Sequence, residues 1–283
     1  MSEKAPQKQR LAGVVGWPIA HSLSPLIHST WAAREGANAR YDAIAVEPDD
    51  EVFRKRIDEL RAGGYAGVNV TIPHKERALK FADSASDAAK TIGAANMLTF
   101  SEEGVLAANS DATAVRRIVL ELHRRPDKVL VIGAGGAARG VLWALKSRID
   151  PLSVILTNRT RARAEEIASI AAAEVIDWAD RNAAISEADL VINATSLGMR
   201  GQLPLDLDHD RLKPGAVVFD IVYAPLETPL LAAARARGLE TIDGLEMLMR
   251  QAVPGYLAWL GTKADVDADL RARLEAALRA RDA

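Results

Sequence analysis

The fold is decided by residues 129–140, which read Val-Leu-Val-Ile-Gly-Ala-Gly-Gly-Ala-Ala-Arg-Gly. A short apolar run leads into the pattern G-x-G-x-x-A, and a helical pattern follows. Gly133 permits a tight turn, Gly135 lets a pyrophosphate approach the backbone, and Ala138 is small enough for close packing of helix on strand. The first N–H groups of the helix then face the anion. The stretch predicts a dinucleotide-binding strand–turn–helix; the alternative is a glycine-rich turn without a ligand.

The end of the next strand indicates which dinucleotide is bound. An NAD site needs a carboxylate there for the ribose 2′-hydroxyl. The predicted strand Ser153–Thr157 is followed instead by Asn-Arg-Thr-Arg-Ala-Arg, and no Asp or Glu occurs before Glu165. Guanidinium groups pair well with phosphate oxygens, so the segment favours NADP. The alternative, a solvated basic helix start, is disfavoured because cations are unfavourable at a helix N-terminus.

Short apolar runs alternate with helical patterns along the chain, which is typical of an α/β protein with parallel strands. The length of 283 residues favours two domains over one. In the first half, the predicted strands are Leu11–Val15, Tyr41–Val46 and Tyr65–Val70, with a hairpin of Met97–Phe100 and Val105–Ala108. In the second half they are Val129–Ile132, Ser153–Thr157, Leu190–Asn193 and Ala216–Ile221, with a weaker strand at Glu174–Ile176.

Two helical segments show a clear apolar face. In residues 50–62, Val52, Phe53, Ile57 and Leu60 fall on one side of the predicted helix. The final helix, residues 266–281, has an apolar residue at every fourth position: Val266, Leu270, Leu274 and Leu278. We interpret this stripe as internal packing in preference to a partner-binding surface.

Composition excludes several classes of protein. Lys and Arg number 36 and Asp and Glu number 38, so nucleic acid and anionic membranes are not expected partners. The absence of Cys excludes disulfides, thiol nucleophiles and zinc–thiolate sites, and the isolated histidines suggest no metal site. The first ten residues are polar, and no apolar run reaches the ~18 residues of a membrane span. We expect a soluble, cytoplasmic protein; a homodimer is compatible with the sequence, which does not fix the oligomeric state.

Polar side chains follow the predicted strands of the first half. Ser22 and Ser24 come just before a helix with Pro25 near its start, where both hydroxyls can face one anion. Asn69-Val70-Thr71-Ile72-Pro73-His74-Lys75, Gly93–Asn96 and Asn109–Asp111 lie at other element ends. Each has an ordinary explanation as a cap or turn, but together they predict a ligand site, since open α/β sheets bind ligands there.

These segments together resemble the shikimate dehydrogenase family. The matching segments keep the family's order along the chain: Gly16–Pro25, Asn69–Lys75, Gly93–Asn96, Asn109–Asp111, Gly133–Gly140, Asn158–Arg163, Asn193–Met199, Asp220–Tyr223 and Asp243–Gln251. The resemblance implies a substrate domain with a mostly parallel sheet, made of residues 1–110 and 245–283. It also implies a Rossmann NADP-binding domain inserted between them, residues 111–244.

The resemblance also implies roles for individual residues. Lys75 and Asp111 would be the catalytic pair, and Ser22 and Ser24 would bind a substrate carboxylate. The other implied substrate contacts are Asn69, Thr71, Asn96, Tyr223 and Gln251. The implied pyrophosphate contacts are Gly133, Ala134, Gly135, Gly136 and Ala137. The 2′-phosphate would be held by Asn158, Arg159, Thr160 and Arg163. Ile221 and Gly244 would lie at the nicotinamide end, and Asp87 near the cofactor.

The implied reaction is the reversible, NADPH-dependent reduction of 3-dehydroshikimate to shikimate, a step of aromatic amino acid biosynthesis. Either Lys75 or Asp111 is the proton donor. One alternative is a relative that oxidises quinate; such relatives often carry Thr at the second serine of Ser-x-Ser, so Ser24 favours shikimate. The other is a non-catalytic NADP sensor, which would be expected to lose Lys75 or Asp111. Met97, Glu246 and Leu260 depart from the common family pattern without removing an implied catalytic group.

Overall fold

The computed structural model describes residues 8–146 and 152–282, and the chain divides into two compact units. Unit 1 takes the chain up to Ser110 and again from Met249, and unit 2 takes Asp111–Leu248. The second division falls four residues after the sequence-based boundary at 244/245. The polar start of the chain, from which the sequence predicts no leader peptide, includes residues 1–7 and so lies largely outside the described residues.

Strands and helices alternate through the described residues, which confirms the α/β fold class. The strands are β1 (Arg10–Gly16), β2 (Ala39–Ala45), β3 (Tyr65–Val70), β4 (Ser84–Ala85), β5 (Met97–Ser101), β6 (Gly104–Ala108), β7 (Lys128–Ile132), β8 (Ser153–Thr157), β9 (Glu174–Ile176), β10 (Leu190–Asn193), β11 (Val217–Asp220) and β12 (Glu240–Ile242). The helices are α1 (Ser24–Glu35), α2 (Asp50–Ala62), α3 (Lys75–Phe81), α4 (Asp87–Ile92), α5 (Ser110–Leu120), α6 (Gly136–Lys146), α7 (Arg161–Ala168), α8 (Arg181–Ala184), α9 (Pro229–Ala236), α10 (Gly244–Trp259) and α11 (Ala268–Asp282).

The sheet of unit 1 has the strand order β2-β1-β3-β5-β6-β4. β1 is parallel to β2 and β3, while β5 is antiparallel to both β3 and β6, so the predicted hairpin is confirmed. α2 shows how local chemistry builds a helix of this unit: Asp49 accepts hydrogen bonds from the N–H groups of Glu51 and Val52. Phe53, Ile57 and Leu60 of the predicted apolar face of α2 are buried against the sheet core, but Val52 is wrongly included, because it is 42% exposed.

The C-terminal part of the chain completes unit 1. α11 packs on α1, and its Leu270, Leu274 and Leu278 are buried, so the predicted packing stripe is confirmed for these leucines. Val266 is not part of the helical stripe, because α11 begins only at Ala268. An ion pair of Arg34 with Asp267 and Asp269 ties α1 to the start of α11.

The sheet of unit 2 is wholly parallel, with the order β12-β11-β10-β7-β8-β9. Counted within the unit, this is the doubly wound order 3-2-1-4-5-6 of dinucleotide-binding sheets, with the reversal between β7 and β10. Alternate residues of β7 enter separate apolar clusters, Val129 and Val131 in one and Leu130 and Ile132 in the other. Both faces of the sheet are therefore covered, as apolar parallel strands require.

Among the described residues, no helix combines the length and apolar character needed to cross a bilayer.

Candidate functional site

The turn after β7 requires glycine at position 133. Gly133 has φ +115°, a conformation that residues with a side chain rarely adopt. A Cβ atom here would lie 2.8 Å from Cγ2 of Thr195 and 3.0 Å from the carbonyl oxygen of Ala194. The Gly133 N–H also donates a hydrogen bond of 2.8 Å to the carbonyl oxygen of Thr157. The turn is thus held between the end of β8 and the loop that follows β10.

The next residues of this turn present bare backbone. Gly135, Gly136 and Ala137 are exposed, and a Cβ atom on either glycine would meet no atom within 4 Å. α6 begins at Gly136 and has no acidic residue in its first turn. Since the first N–H groups of a helix lack intrahelical partners and attract anions, the turn fits a dinucleotide pyrophosphate.

A hydrogen-bonded loop follows β10 at the point where the strand order reverses. Oδ1 of Asn193 accepts hydrogen bonds from the N–H and the hydroxyl of Thr195, at 3.1 and 2.7 Å. Nδ2 of Asn193 donates to the carbonyl oxygen of Leu197 at 3.1 Å. These bonds fix the loop that abuts Gly133. Sequence reasoning gave Asn193 no role, although a polar residue at the end of a wholly buried strand is a usable signal.

Asp220, the last residue of β11, is a second buried polar group that sequence reasoning left without a role. Its carboxylate accepts hydrogen bonds from the Val222 N–H at 3.0 Å and the Thr228 hydroxyl at 2.7 Å. Burial raises the pKa of Asp220 to about 6, and the hydrogen-bond donors oppose the rise. Asp220 therefore shapes the segment that carries Ile221 and Tyr223.

The three arginines after β8 differ in their contacts. Arg161 donates to Glu165 and Asp177, both at 2.8 Å. Arg159 and Arg163 are exposed, and no ion pair or side-chain hydrogen bond joins either to another described residue. Within the described part of the chain, two guanidinium groups at the end of β8 thus remain without a protein counter-charge, which is the arrangement a 2′-phosphate needs.

The other predicted residues at the end of β8 lie beside these arginines. Thr160 precedes α7 and is exposed, but its side chain makes no capping hydrogen bond. Nδ2 of Asn158 donates to the carbonyl oxygen of Thr160 at 2.9 Å, which fixes the backbone of this segment.

The remaining predicted cofactor residues occupy three different settings. Ile221 packs against the core of unit 2. Gly244 begins α10, and a Cβ atom there would overlap the carbonyl oxygen of Ile221, so close backbone packing already requires glycine. Asp87 lies in unit 1, exposed in the first turn of α4.

In unit 1, the two serines before α1 make different contacts. The Ser22 hydroxyl accepts a hydrogen bond from the Ser24 N–H at 3.2 Å. Ser24 begins α1, is buried, and has its side chain beside the hydroxyl of Tyr41. A local turn therefore explains the contact of the Ser22 hydroxyl, but it does not explain the position of the Ser24 side chain.

A chain of buried hydrogen bonds joins three predicted substrate residues. Nδ2 of Asn69 donates to the carbonyl oxygen of Asn96 at 3.2 Å. Oδ1 of Asn96 accepts from the Ser110 N–H at 2.7 Å, and Nδ2 of Asn96 donates to the Ser110 hydroxyl at 3.0 Å. That hydroxyl donates in turn to Oε1 of Gln251 at 3.3 Å. These amides thus form one cluster, which is held by β3, the start of β5, the start of α5 and α10.

Lys75 lies next to this cluster along the backbone. It is half-buried as the first residue of α3, and its carbonyl oxygen accepts the Ala95 N–H at 2.9 Å, one residue before Asn96. Thr71, also half-buried, follows β3 directly. These positions keep Thr71 and Lys75 at the end of β3, as the sequence predicts.

The strand-like pattern of residues 69–75 predicts that His74 and Lys75 face opposite sides of an extended stretch and that His74 is structural. The extended stretch is wrong. The chain turns after Thr71, whose carbonyl oxygen accepts the His74 N–H at 2.9 Å, and enters α3. The structural role predicted for His74 is confirmed, because its ring is buried, stacks on Phe53 and has Nε2 2.8 Å from the carbonyl oxygen of Val46.

Two predicted substrate or catalytic residues belong to unit 2. Asp111 is half-buried in the first turn of α5, and Tyr223 is half-buried in the segment that follows Asp220. One unit is doubly wound and has an intact nucleotide turn. The other is an α/β unit with a buried serine–amide cluster, made of Asn69, Asn96, Ser110 and Gln251. Together they define a dinucleotide-dependent oxidoreductase of two domains.

Comparison with known proteins gives the family. The family model for the shikimate dehydrogenase substrate binding domain matches residues 14–98, and the model for shikimate/quinate 5-dehydrogenase matches residues 114–199. The shikimate dehydrogenase (NADP(+)) of Acidiphilium cryptum is 47% identical over 91% of this chain and 93% of its own length. The chain belongs to the shikimate dehydrogenase family.

Solved structures agree with this assignment. The shikimate 5-dehydrogenase of Thermus thermophilus, in complex with NADP(H) and shikimate, has a TM-score of 0.82 at 32% identity, covering 95% of this chain and 98% of its own. The quinate dehydrogenase of Corynebacterium glutamicum, in complex with NAD, has a TM-score of 0.80 at 28% identity, covering 88% and 93%.

Proposed function

We propose that this chain catalyses the reversible, NADP-dependent interconversion of shikimate and 3-dehydroshikimate. The observation that carries the proposal is the buried serine–amide cluster of Asn69, Asn96, Ser110 and Gln251, which lies with the buried Ser24 in the unit that matches the substrate binding domain. A ring that carries a carboxylate and several hydroxyl groups needs such a set of fixed donors and acceptors. The similarity to a shikimate dehydrogenase (NADP(+)) over nine-tenths of the chain supports the same substrate.

The proposed domain roles follow the sequence-based division. Residues 1–110 and 245–283 form the substrate-binding catalytic domain, and residues 111–244 form the NADP-binding domain. Within the first, Ser22 and Ser24 bind the carboxylate, and the ring hydroxyls are held by Asn69, Thr71, Asn96 and Gln251, with Tyr223 added from the second.

NADP fits the nucleotide unit. The turn of residues 133–137, exposed at its last three residues, would hold the pyrophosphate, with Ile221 and Gly244 at the nicotinamide end and Asp87 near the cofactor. Arg159 and Arg163, helped by Asn158 and Thr160, would bind the 2′-phosphate, since both guanidinium groups lack a protein counter-charge among the described residues. When bound, the reduced cofactor supplies a hydride to the substrate carbonyl.

Side chains of this protein supply the proton and stabilise the negative charge that develops on the substrate. Reduction builds negative charge on the carbonyl oxygen, so a cation or a proton donor must face that oxygen. We assign this position to Lys75, whose ammonium offers both. Asp111 holds that ammonium or relays the proton. The two serines keep the acid docked through its carboxylate while the proton moves.

Quinate oxidation is the second candidate, favoured by the fold similarity to a quinate dehydrogenase that binds NAD. Ser24 and the two unpaired arginines favour shikimate and NADP. Measurement of kcat/KM for the four pairs of acid and cofactor decides between them, and we expect shikimate with NADP to be highest. A clear preference for quinate would overturn the substrate, and no turnover with either acid would favour a non-catalytic NADP-binding sensor.

A homodimer and a cytoplasmic location complete the proposal. Light scattering coupled to size exclusion measures the mass of the assembly, and a monomer at micromolar concentration contradicts the homodimer. Fractionation of the native cells tests the location.

A further inference from the structure

Tyr41 contacts the serine–amide cluster through Asn69, although no role follows for it from the sequence. It is the third residue of β2, and its side chain is buried. The Tyr41 hydroxyl donates a hydrogen bond of 2.7 Å to Oδ1 of Asn69, and the side chain of Ser24 lies beside the same hydroxyl. One hydroxyl therefore joins α1 to β3 through two side chains proposed to bind substrate.

The Tyr41 ring is fixed by aromatic neighbours. His28 stacks on it with the ring centroids 3.9 Å apart and the planes 6° from parallel. His28 lies on α1 one turn after Ser24, and its ring also contacts Trp31 edge-on. Because the ring cannot swing without disturbing this stack, the position of the Tyr41 hydroxyl is defined by packing and not by the polar contacts alone.

The bond from Tyr41 determines what Asn69 can offer a ligand. Oδ1 of Asn69 is occupied by the Tyr41 hydroxyl, and one N–H of Nδ2 donates to the carbonyl oxygen of Asn96. The second N–H of Nδ2 remains as a donor. Asn69 is thereby fixed as a group that gives a hydrogen bond to a substrate oxygen.

We infer that Tyr41 is a positioning residue for substrate: its buried hydroxyl orients the Asn69 amide and holds Ser24. This inference rests on the proposed function, because the substrate is the one proposed above. Tyr41 does not touch the reacting atoms; it acts through Asn69 and Ser24.

The test is Tyr41→Phe, which removes the hydroxyl and keeps the ring stacked on His28. We expect the KM for shikimate to rise about tenfold, the loss that one net hydrogen bond corresponds to, with kcat changed less than threefold. The KM for NADP should stay within twofold, because the nucleotide turn belongs to the other unit. The matched control is Tyr65→Phe, since the Tyr65 hydroxyl bonds Asp42 and Arg40 at the start of β3 and has no bond to the cluster.

A double variant tests whether Tyr41 acts through Asn69. In an Asn69→Ala background, Tyr41→Phe should raise the KM for shikimate less than it does in the wild type, because one of its two targets is gone. An additive effect, an unchanged KM, or an equal rise of both KM values would overturn the inference. A wild-type enzyme inactive with shikimate would instead overturn the proposed function, and the inference with it.

Discussion

Nδ2 of Asn193 donates a hydrogen bond of 2.9 Å to Oδ1 of Asp220, joining the last residues of two neighbouring parallel strands. Both side chains are fully buried. The pair links the loop beside the nucleotide turn to the segment that carries Ile221 and Tyr223. Because a carboxylate in this position is shielded from water, its charged form is disfavoured. The contribution of Asp220 to stability therefore depends on pH.

Asp220 should make the stability of the protein fall as the pH rises through the acid range. Its folded pKa of about 6 exceeds the ordinary 3.8, so the folded state holds a proton that the unfolded state has released. The resulting stability is present below pH 3.8 and lost by about pH 6. Asp220→Asn removes this titration and keeps the shape. In urea titrations, the free energy of unfolding of Asp220→Asn minus that of the wild type should increase by about 2 kcal/mol as the pH is raised from 4.5 to 7.5. A pH-independent difference would contradict the assignment.

His28 should act in the opposite direction. Burial lowers the pKa of His28 to about 3, so below pH 6.5 the unfolded chain takes up a proton that the folded chain refuses. Stability is therefore lost as the pH falls, by about 1.4 kcal/mol per pH unit from this group. Neither ring nitrogen has a hydrogen-bond partner among the described residues, and the ring borders a cavity of about 250 Å³. His28→Phe should fold, and its unfolding midpoint in urea should fall less steeply from pH 6.5 to 4.5 than that of the wild type.

Two glycines of the nucleotide turn should respond differently to a methyl group. Gly133→Ala combines an unfavourable φ with a Cβ 2.8 Å from Thr195, so we expect a loss of roughly 1–3 kcal/mol in unfolding free energy. Gly135→Ala has open space and should leave stability unchanged, yet it should weaken NADP at least tenfold by occupying the path of the pyrophosphate. Thermal unfolding without cofactor and NADP titration separate the effects; unchanged NADP affinity in Gly135→Ala would show that the pyrophosphate lies elsewhere.

Arg159→Ala should weaken NADP and spare NAD. A charge-assisted hydrogen bond to phosphate contributes ~1.5–3 kcal/mol, which is roughly 10- to 100-fold in affinity, and sharing of the phosphate with Arg163 places the single variant at the low end. Arg161→Ala is the matched control, because its ion pairs with Glu165 and Asp177 already occupy it. Fluorescence titration with both cofactors measures the change. Equal losses for NADP and NAD in Arg159→Ala would make that arginine structural.

Lys75→Ala should lower kcat by ~10²–10⁴ while the KM for shikimate stays within roughly tenfold, as expected for loss of a positioned proton-transfer group. We expect substrate binding to persist because Ser22 and Ser24, the proposed contacts of the carboxylate, are unchanged. Lys80→Ala, an exposed lysine later in α3, is the control and should behave as wild type. If kcat is near normal in Lys75→Ala, Asp111 becomes the leading proton donor.

Features set by near neighbours in the chain were predictable. The turn at Gly133 and the hairpin of β5 and β6 follow from local patterns, and both are present in the structure. The two-residue strand β4 lacks enough residues for a pattern. The helical start at Lys75 was hidden because Pro73, two residues earlier, reads as part of an extended segment.

Contacts between distant residues were not predictable. The hydroxyl of Tyr41 meets a side chain 28 positions away, and an alternating strand pattern indicates only that the ring is buried. Gly67 gives no local signal either, yet a Cβ there would overlap the indole of Trp259, near the other end of the chain. A single sequence records such close approaches only as residue types, without their partners.

The split of unit 1 between the two ends of the chain has a consequence for biosynthesis. Trp31 donates to the carbonyl oxygen of Asp265 at 2.8 Å, and Trp259 donates to Thr99 at 3.0 Å, so the N-terminal part lacks these partners until residues 259–265 have left the ribosome. The whole of unit 2 is synthesised in between, which takes on the order of ten seconds at ~5–20 residues per second. During that interval unit 2 has its complete sequence, while the nascent N-terminal part exposes the apolar face of α1 that α11 later covers. Chaperones and proteases therefore encounter nascent chains in which unit 2 is complete and unit 1 is not.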